Sequence, residues 1–441
     1  MMCFSIKKVA FFTLGCKLNF AESSTILRYF IEKNYSLVDF KEIADVYVIN
    51  SCSVTGNAEK KSRNAISRAK SKNADAVIIF TGCYAQFNQN DLLKLGIDYI
   101  IGANDKDKIY EIIDNIEKKT NPFTISTNRN ETKRFVPAFS QGGRTRSFLK
   151  IQDGCDYFCS YCAIPFARGK NRSATIEEII PQAQHIADFG IKEIVLTGIN
   201  IGEFGKNNDE NLFELLKEII KIDRIERFRI SSIEPNLLSD EIIKLTADNQ
   251  KIMPHFHIPL QSGCDEMLRL MNRRYDTDFF KNKIEKIKSF IPNAFIGIDL
   301  IVGVNGESDN YFQKTLDFVK SLNISFIHQF QYSERPGTKA LNFSPKISPQ
   351  EKQERADLIN EISQKKHFEF LNNNIGKTTD VLFESTKKTN KMFGFTDNYI
   401  KTEIDFDEKN VNKIIKVKLI EFSENKQVLK GQTDERVSME R

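Results

Sequence analysis

Gly154-Cys155-Asp156-Tyr157-Phe158-Cys159-Ser160-Tyr161-Cys162 sets three cysteines at C-x3-C-x2-C spacing. Three thiolates this close in sequence can hold one iron–sulfur cluster on one loop. A four-iron cluster held by three thiolates leaves one iron without a protein ligand. A small molecule carrying an amine and a carboxylate can chelate that open iron. The alternatives are zinc or a chance group of buried thiols. Zinc sites usually pair their ligands and follow with a second Cys or His pair. No such pair follows here at zinc spacing.

Outward from that loop, the composition is ordinary for a globular protein. The chain has 441 residues, 40% hydrophobic and 28% charged, which is length for two or three domains. A net charge of +5 permits nucleic-acid binding without requiring it. Met1 to Phe12 lacks the apolar run of a signal peptide, and no stretch of about 18 apolar residues indicates a membrane span. Eight cysteines in such a chain suggest a reducing cytoplasm, where thiols serve as metal ligands rather than disulfides.

Residues 5–118 read as alternating strands and helices, which predicts a parallel sheet with helices on its faces. Val9–Leu14, Val46–Asn50 and Ala76–Thr81 suit buried strands, and Ala21–Glu32 and Asn57–Lys72 are helical patterns. Each strand ends at a cysteine: Cys16, Cys52 and Cys83. Loops at the carboxyl ends of parallel strands share one edge of a sheet, so three thiols distant in sequence can meet there. This is a second candidate cluster site; three buried structural cysteines are the alternative.

Residues 119–145 have linker character, with Pro122, Pro137, Gly142 and Gly143 breaking any period. From Lys133 to Lys150, both included, there are five basic residues and no acidic one. Residues 146–372 repeat strand and helix. Candidate strands are Ser147–Ile151, Glu193–Thr197, Arg227–Ser232, His255–Leu260, Phe295–Val302 and Ile324–Gln331. Helical patterns include Thr175–Phe189, with Thr175 and Glu178 forming a capping box, and Asp309–Leu322. Six such units fit a partial (β/α)6 barrel, whose sites lie at the carboxyl ends of its strands. From 332 to 372 the chain is a charged helical connector. Residues 373–438 turn to short β-like runs, Thr379–Glu384, Tyr399–Ile404, Ile414–Phe422 and Gln427–Gly431, suited to a small all-β barrel. The fold class is therefore α/β, in three parts.

The two cysteine triplets together resemble the radical S-adenosylmethionine (SAM) methylthiotransferase family. The resemblance extends over nearly the whole chain, including a C-terminal TRAM domain. Several stretches are similar to the MtaB-type tRNA enzymes of that family: Leu14-Gly15-Cys16-Lys17-Leu18-Asn19, Gly82-Cys83-Tyr84-Ala85-Gln86, Leu196-Thr197-Gly198-Ile199-Asn200, Ser231-Ser232-Ile233-Glu234-Pro235 and Gln261-Ser262-Gly263-Cys264-Asp265. Gly303-Val304-Asn305-Gly306-Glu307 departs from the family's Gly-Phe-Pro-Gly-Glu, which predicts altered local rigidity rather than lost activity. The resemblance implies two [4Fe-4S] clusters and SAM. Cys155, Cys159 and Cys162 would ligate the SAM cluster, and Cys16, Cys52 and Cys83 the cluster whose open iron carries sulfur. Tyr161 would lie against the SAM adenine, with ordinary aromatic packing as its alternative. Gly198 would let backbone approach the SAM methionine, or simply make a tight turn. No catalytic residue is assigned beyond the cluster ligands.

The implied reaction adds a methylthio group to carbon 2 of N6-threonylcarbamoyladenosine at tRNA position 37. Isopentenyladenosine at that position, a ribosomal protein, or a non-catalytic iron–sulfur RNA-binding role are the alternatives. The implied partners are tRNA and a flavodoxin- or ferredoxin-like electron donor, with no membrane, in the cytoplasm. Lys60, Lys61, Arg63, Arg68, Lys70 and Lys72 form a basic helix against one acid, Glu59; Arg144, Arg146, Arg168, Lys170 and Arg172 are further candidates for phosphate contact. A solvated charged face is the plainer reading of such runs. Cys264 reads as a buried thiol, Cys3 as a free surface thiol, and His255 and His257 as lumen or core histidines sharing one strand face.

Overall fold

The computed structural model describes residues 6–53, 56–132, 134–141, 145–384, 390–424 and 426–433. Cys3 and Arg144 lie outside them. The N-terminal part is an all-parallel sheet of six strands. Ser36–Val38 forms one edge, followed in space by Lys8–Thr13, Val46–Ser51, Val77–Gly82, Tyr99–Gly102 and Phe123–Ile125. The two central strands are buried throughout, as a sheet covered by helices on both faces requires. Helices Lys17–Glu32 and Gly56–Lys72 cover it. Lys17–Glu32 starts four residues earlier than the apolar period of Ala21–Glu32 suggested, directly after Cys16.

The segment 119–145, expected as a linker, is built into both neighbours. Phe123–Ile125 completes the N-terminal sheet by pairing with Tyr99–Gly102. Ala138–Phe139 pairs antiparallel with Arg146–Lys150, and the Phe139 amide donates to Thr25 Oγ1 at 3.2 Å.

Six parallel strands form the central part: Arg146–Lys150, Glu193–Thr197, Arg227–Ile230, His255–Gln261, Phe295–Val302 and Phe326–Gln331. The first three and the last three form continuous ladders, joined by the bridges Phe228–Ile252 and Ser232–His257. Thr175 caps helix Ile176–Asp188 and closes the expected box with Glu178. Alternation sorts the strand side chains. Leu149, Ile194, Leu196, Phe228, Ile230, Phe256, Ile258, Ile298, Leu300 and Ile327 pack outward in one core with the helices. The intervening residues face the lumen, which is polar: Glu193, Arg229, His257, Asp299 and His328 among them.

Helix Pro349–Asn372, capped by a second box between Ser348 and Glu351, leads to the C-terminal part. Five strands close a barrel there: Thr378–Phe383, Lys391–Thr396, Lys401–Asp405, Ile414–Phe422 and Leu429–Thr433. Lys391–Thr396 was not among the expected runs. This small barrel stands against the amino-terminal end of the lumen. Arg227 donates to the Phe395 and Asp380 carbonyls at 2.9 and 2.8 Å, and Arg229 to the Asp397 carbonyl at 3.0 Å. Arg146 pairs with Glu384 at 2.8 Å. Arg146 is therefore a docking residue between two parts, not the phosphate contact its place in a basic run suggested.

His255 lies in that interface, with ring centroids 4.4 Å from Tyr399 and 5.4 Å from Phe295. Burial, reinforced by Arg229, Lys17, His257 and His328, holds its pKa well below the imidazole range. The unfolded chain therefore takes up the proton first as pH falls. Stability is present above the ordinary imidazole value of about 6.5 and is lost as pH drops below it. His255→Phe is expected to flatten the pH dependence of the urea midpoint between roughly pH 7 and 5. An unchanged slope would remove His255 from this role.

Candidate active site

The N-terminal cysteines follow adjacent strands in register. Thr13 pairs with Asn50, Asn50 with Thr81 and Ser51 with Gly82. Cys16, Cys52 and Cys83 thus leave neighbouring carboxyl ends of one sheet. The approach is close enough that a Cβ on Gly15, the residue before Cys16, would lie 2.8 Å from Cys52 Sγ. Gly82, the residue before Cys83, has φ +101°, and a Cβ there would run into the Ser51 carbonyl. Asn19 ties two of these loops together, its amide donating to the Leu14 and Ser51 carbonyls at 2.7 and 3.1 Å.

Cys155, Cys159 and Cys162 lie on the loop after the first barrel strand, at the lumen's carboxyl end. Gly154 begins it with φ +70°, and a Cβ there would collide with the Lys170 carbonyl. The Cys155 amide donates to the Gly169 carbonyl at 3.1 Å, and Ser160 to the Met271 carbonyl at 3.0 Å. Gly198 makes room for Gln152: a Cβ there would meet Gln152 Oε1 and Ile201 Cγ2, both at 2.8 Å. Gln152 Oε1 accepts from Ile199 and Asn200 at 2.9 and 2.8 Å, while its Nε2 donates to the Gly154 carbonyl at 2.7 Å. This close approach locks the loop after the second strand to the cysteine loop.

Arg273, after the fourth strand, was not singled out from sequence. Its Nη1 donates to Cys159 Sγ at 3.1 Å and to the Tyr161 hydroxyl at 3.4 Å, and its Nη2 pairs with Glu234 after the third strand. Glu234 stood in a quoted stretch, but only the fold shows its partner. Tyr161 packs with Cys264, Met267, Met271 and Tyr332. Cys264 is a buried thiol, its Sγ 3.0 Å from Glu266, with burial pushing its pKa up to about 11. His257 Nε2 lies 2.7 Å from Asp299 Oδ1 in the lumen wall.

Burial pushes the Cys162 thiol up to about 12 and the Cys155 thiol higher still. Such thiols become ligands only when a metal displaces their protons. Among the described residues no three His, Cys, Asp or Glu side chains are set to hold a single metal ion. Cluster ligation makes a different demand, since each thiolate binds its own iron and the sulfurs need not converge on a point. Both triplets fit that demand, being all-sulfur, set just beyond strand ends and held by close glycine contacts.

The triplets are joined by a buried charge network. Arg168 is fully buried and donates to Glu22 Oε1 at 2.9 Å, Asp153 Oδ1 at 3.0 Å and Asn19 Oδ1 at 2.7 Å. Lys150 pairs with Glu22 and Asp153 at 3.0 and 2.8 Å, Lys106 with Glu22, and Arg172 with Asp153 at 2.9 Å. Arg168 and Arg172 are thus internal braces rather than phosphate contacts, because two buried carboxylates hold them. Cys83 packs against Ala167 beside them. On the outer face, Lys60, Lys61, Arg63, Arg68 and Lys72 are exposed, as is Lys170.

The Radical SAM superfamily model matches residues 149–319, and the model described as uncharacterized protein family UPF0004 matches residues 8–102. The threonylcarbamoyladenosine tRNA methylthiotransferase MtaB of Bacillus subtilis is 39% identical over 423 residues, 93% of either chain. Its Aquifex aeolicus counterpart is 39% identical, over 93% of this chain and 99% of the relative. A tRNA-2-methylthio-N(6)-dimethylallyladenosine synthase of Syntrophus aciditrophicus is 34% identical over 87% of either chain. Among solved structures, the radical SAM methyltransferase TsrM of Kitasatospora setae is similar with a TM-score of 0.55 at 13% identity, over 76% of this chain and 77% of TsrM, which speaks to the fold alone.

Anaerobically reconstituted wild-type protein is expected to hold about eight irons, and Gly154→Ala about half of that with unchanged circular dichroism. Full iron retention in the folded variant would show that the Gly154 turn does not set the loop.

Proposed function

The chain belongs to the threonylcarbamoyladenosine tRNA methylthiotransferases of the MtaB type, and from that membership we propose how its residues carry the activity. The substrate is tRNA bearing N6-threonylcarbamoyladenosine at position 37, and the product carries a methylthio group on carbon 2. That carbon has no acidic proton and no leaving group, so acid–base or nucleophilic side chains have nothing to act on. When bound, the iron–sulfur clusters and SAM supply the radical and the sulfur that the side chains cannot. The observation that carries the reading is the packing of Cys83 on Ala167 beside Arg168, which sets the sulfur-side triplet against the SAM-side triplet.

Cys155, Cys159 and Cys162 would hold the SAM cluster, and Tyr161 and Gly198 would border SAM. Arg273 fixes Cys159 and neutralises charge beside it. Cys16, Cys52 and Cys83 would hold a second four-iron cluster that supplies the sulfur. The exposed basic face of helix Gly56–Lys72 takes the phosphates flanking position 37, where a loop base can be splayed into the lumen. The electron donor is a flavodoxin- or ferredoxin-like protein, and the reaction belongs to the cytoplasm. No helix among the described residues is long and apolar enough to cross a membrane.

Mass spectrometry of tRNA nucleosides with and without the gene tests the substrate. Loss of 2-methylthio-threonylcarbamoyladenosine, with its isopentenyl counterpart unchanged, is expected; loss of the isopentenyl product instead would transfer the chain to the other tRNA branch. A second experiment separates the triplets. Cys159→Ala is expected to abolish 5′-deoxyadenosine formation from SAM under anaerobic reduction. Cys52→Ala should retain it and form no methylthio product. Loss of SAM cleavage in Cys52→Ala, with the other cluster intact, would contradict this division.

A further inference from the structure

Lys17 is the first residue of helix Lys17–Glu32 and follows Cys16 directly. A cation there opposes the helix dipole, since backbone N–H groups already place positive charge at that end. The helix has no acidic residue in its first turn to offset it. Lys17 is partly buried, and among the described residues its ammonium has no hydrogen bond or ion pair. It lies within electrostatic reach of Arg146, Glu193, Arg229 and Tyr399 at the lumen's amino-terminal end, and of His328 in its wall. Its ammonium therefore lies near the lumen's amino-terminal end, while its backbone adjoins Cys16.

The neighbouring cations are committed elsewhere. Arg273 is held by Glu234, Arg229 by Glu193, and Lys150 and Arg168 by Glu22 and Asp153. Glu193 already accepts from Arg229 at 3.1 Å. Lys17 is thus a lumen cation that awaits an anion. The proposed substrate brings one: the threonylcarbamoyl group ends in a carboxylate. That group hangs from N6, on the same edge of the purine as carbon 2 and separated from it by N1. A base presenting carbon 2 to the Cys16 side of the lumen also brings its N6 substituent to that side.

We infer that Lys17 binds the threonylcarbamoyl carboxylate and so selects this modified adenosine over one with an uncharged N6 substituent. The inference rests on the threonylcarbamoyladenosine reading given above. The test uses reconstituted full-length protein and two anticodon stem-loop RNAs, one with threonylcarbamoyladenosine and one with its methyl ester. Fluorescence anisotropy gives the ester-to-acid ratio of Kd, and methylthio product gives the same ratio for turnover. Wild type should prefer the acid by about ten-fold, the scale of one charge-assisted hydrogen bond. Lys17→Met should bring both ratios near one, and Lys17→Arg should restore much of the preference. The ratio is internal to each preparation, so partial cluster loss lowers both arms and leaves it unmoved. A Lys17→Met protein that keeps the wild-type ratio, or a wild type that shows none, would overturn the inference. An acid preference in binding that Lys17→Met removes, with neither RNA thiolated by wild type, would instead fail the function and uphold the role of Lys17 in binding.

Discussion

Two carboxylates, Glu22 from the N-terminal helix and Asp153 from the barrel, share four cations inside the protein: Lys106, Lys150, Arg168 and Arg172. Burying six charges is expensive, and well-packed apolar residues often stabilise a fold as much or more. The network is therefore better understood by what it orients. It holds Asn19, which ties the Cys16 loop to the strand before Cys52, and it holds Asp153, two residues before Cys155. Breaking it would remove the charged link between the triplets and leave the Cys83–Ala167 packing and the Phe139–Thr25 hydrogen bond to hold them. The cations outnumber the carboxylates, and Arg168 and Lys106 lie within electrostatic reach of Cys83. That excess positive charge suits a site whose sulfurs become thiolates on ligation.

The fold was largely legible because each barrel strand carries its apolar residues on one face, and period two survives single-sequence reading. The elements that escaped have physical reasons. Ser36–Val38 and Phe123–Ile125 are edge strands of three residues, too short to show a period, and Phe123–Ile125 lies between turn residues that read as a linker. Lys391–Thr396 contains Gly394, which marks a close backbone approach: a Cβ there would lie 2.6 Å from the Leu382 carbonyl. The start of helix Lys17–Glu32 was placed late because Cys16 gives no side-chain capping signal.

At the site, the cysteines announced themselves by spacing and by their places after strands. The charged residues did not. Arg168 and Glu22 are 146 positions apart and Lys150 and Glu22 are 128 apart, so no local pattern marks them as partners. A run of Arg and Lys looks the same whether it faces phosphate or a buried carboxylate. Arg168 and Arg172 belong to the second kind and Arg146 pairs with the half-buried Glu384, while Lys60, Lys61, Arg63, Arg68 and Lys72 of the helix after Cys52 are exposed. Arg273 illustrates the same limit: its role depends on Cys159, Tyr161 and Glu234, which lie on other loops.

Placing the exposed basic helix and the sulfur-side triplet in one domain has a geometric consequence. Helix Gly56–Lys72 packs on strand Val46–Ser51, which ends at Cys52, so a phosphate gripped on its outer face is indexed to the sulfur-side cysteines. The SAM-side triplet is indexed to the barrel lumen instead. Crossings between these frames include the Glu22–Arg168–Asp153 network and the Cys83–Ala167 packing near the cysteines, the Phe139–Thr25 hydrogen bond, and the Arg335–Glu59 pair at 2.7 Å beside the basic helix. The small C-terminal barrel stands against the amino-terminal end of the lumen, which leaves the side where the two frames meet as the approach the proposed substrate would use. On the proposed reading carbon 2 would face both triplets, and its N6 substituent would lie deeper in the lumen, toward Lys17, His328 and the Arg229–Glu193 pair. The polarity of that lumen suits the charged arm of the proposed substrate, and an uncharged arm would leave Lys17 without an anion in a partly buried site.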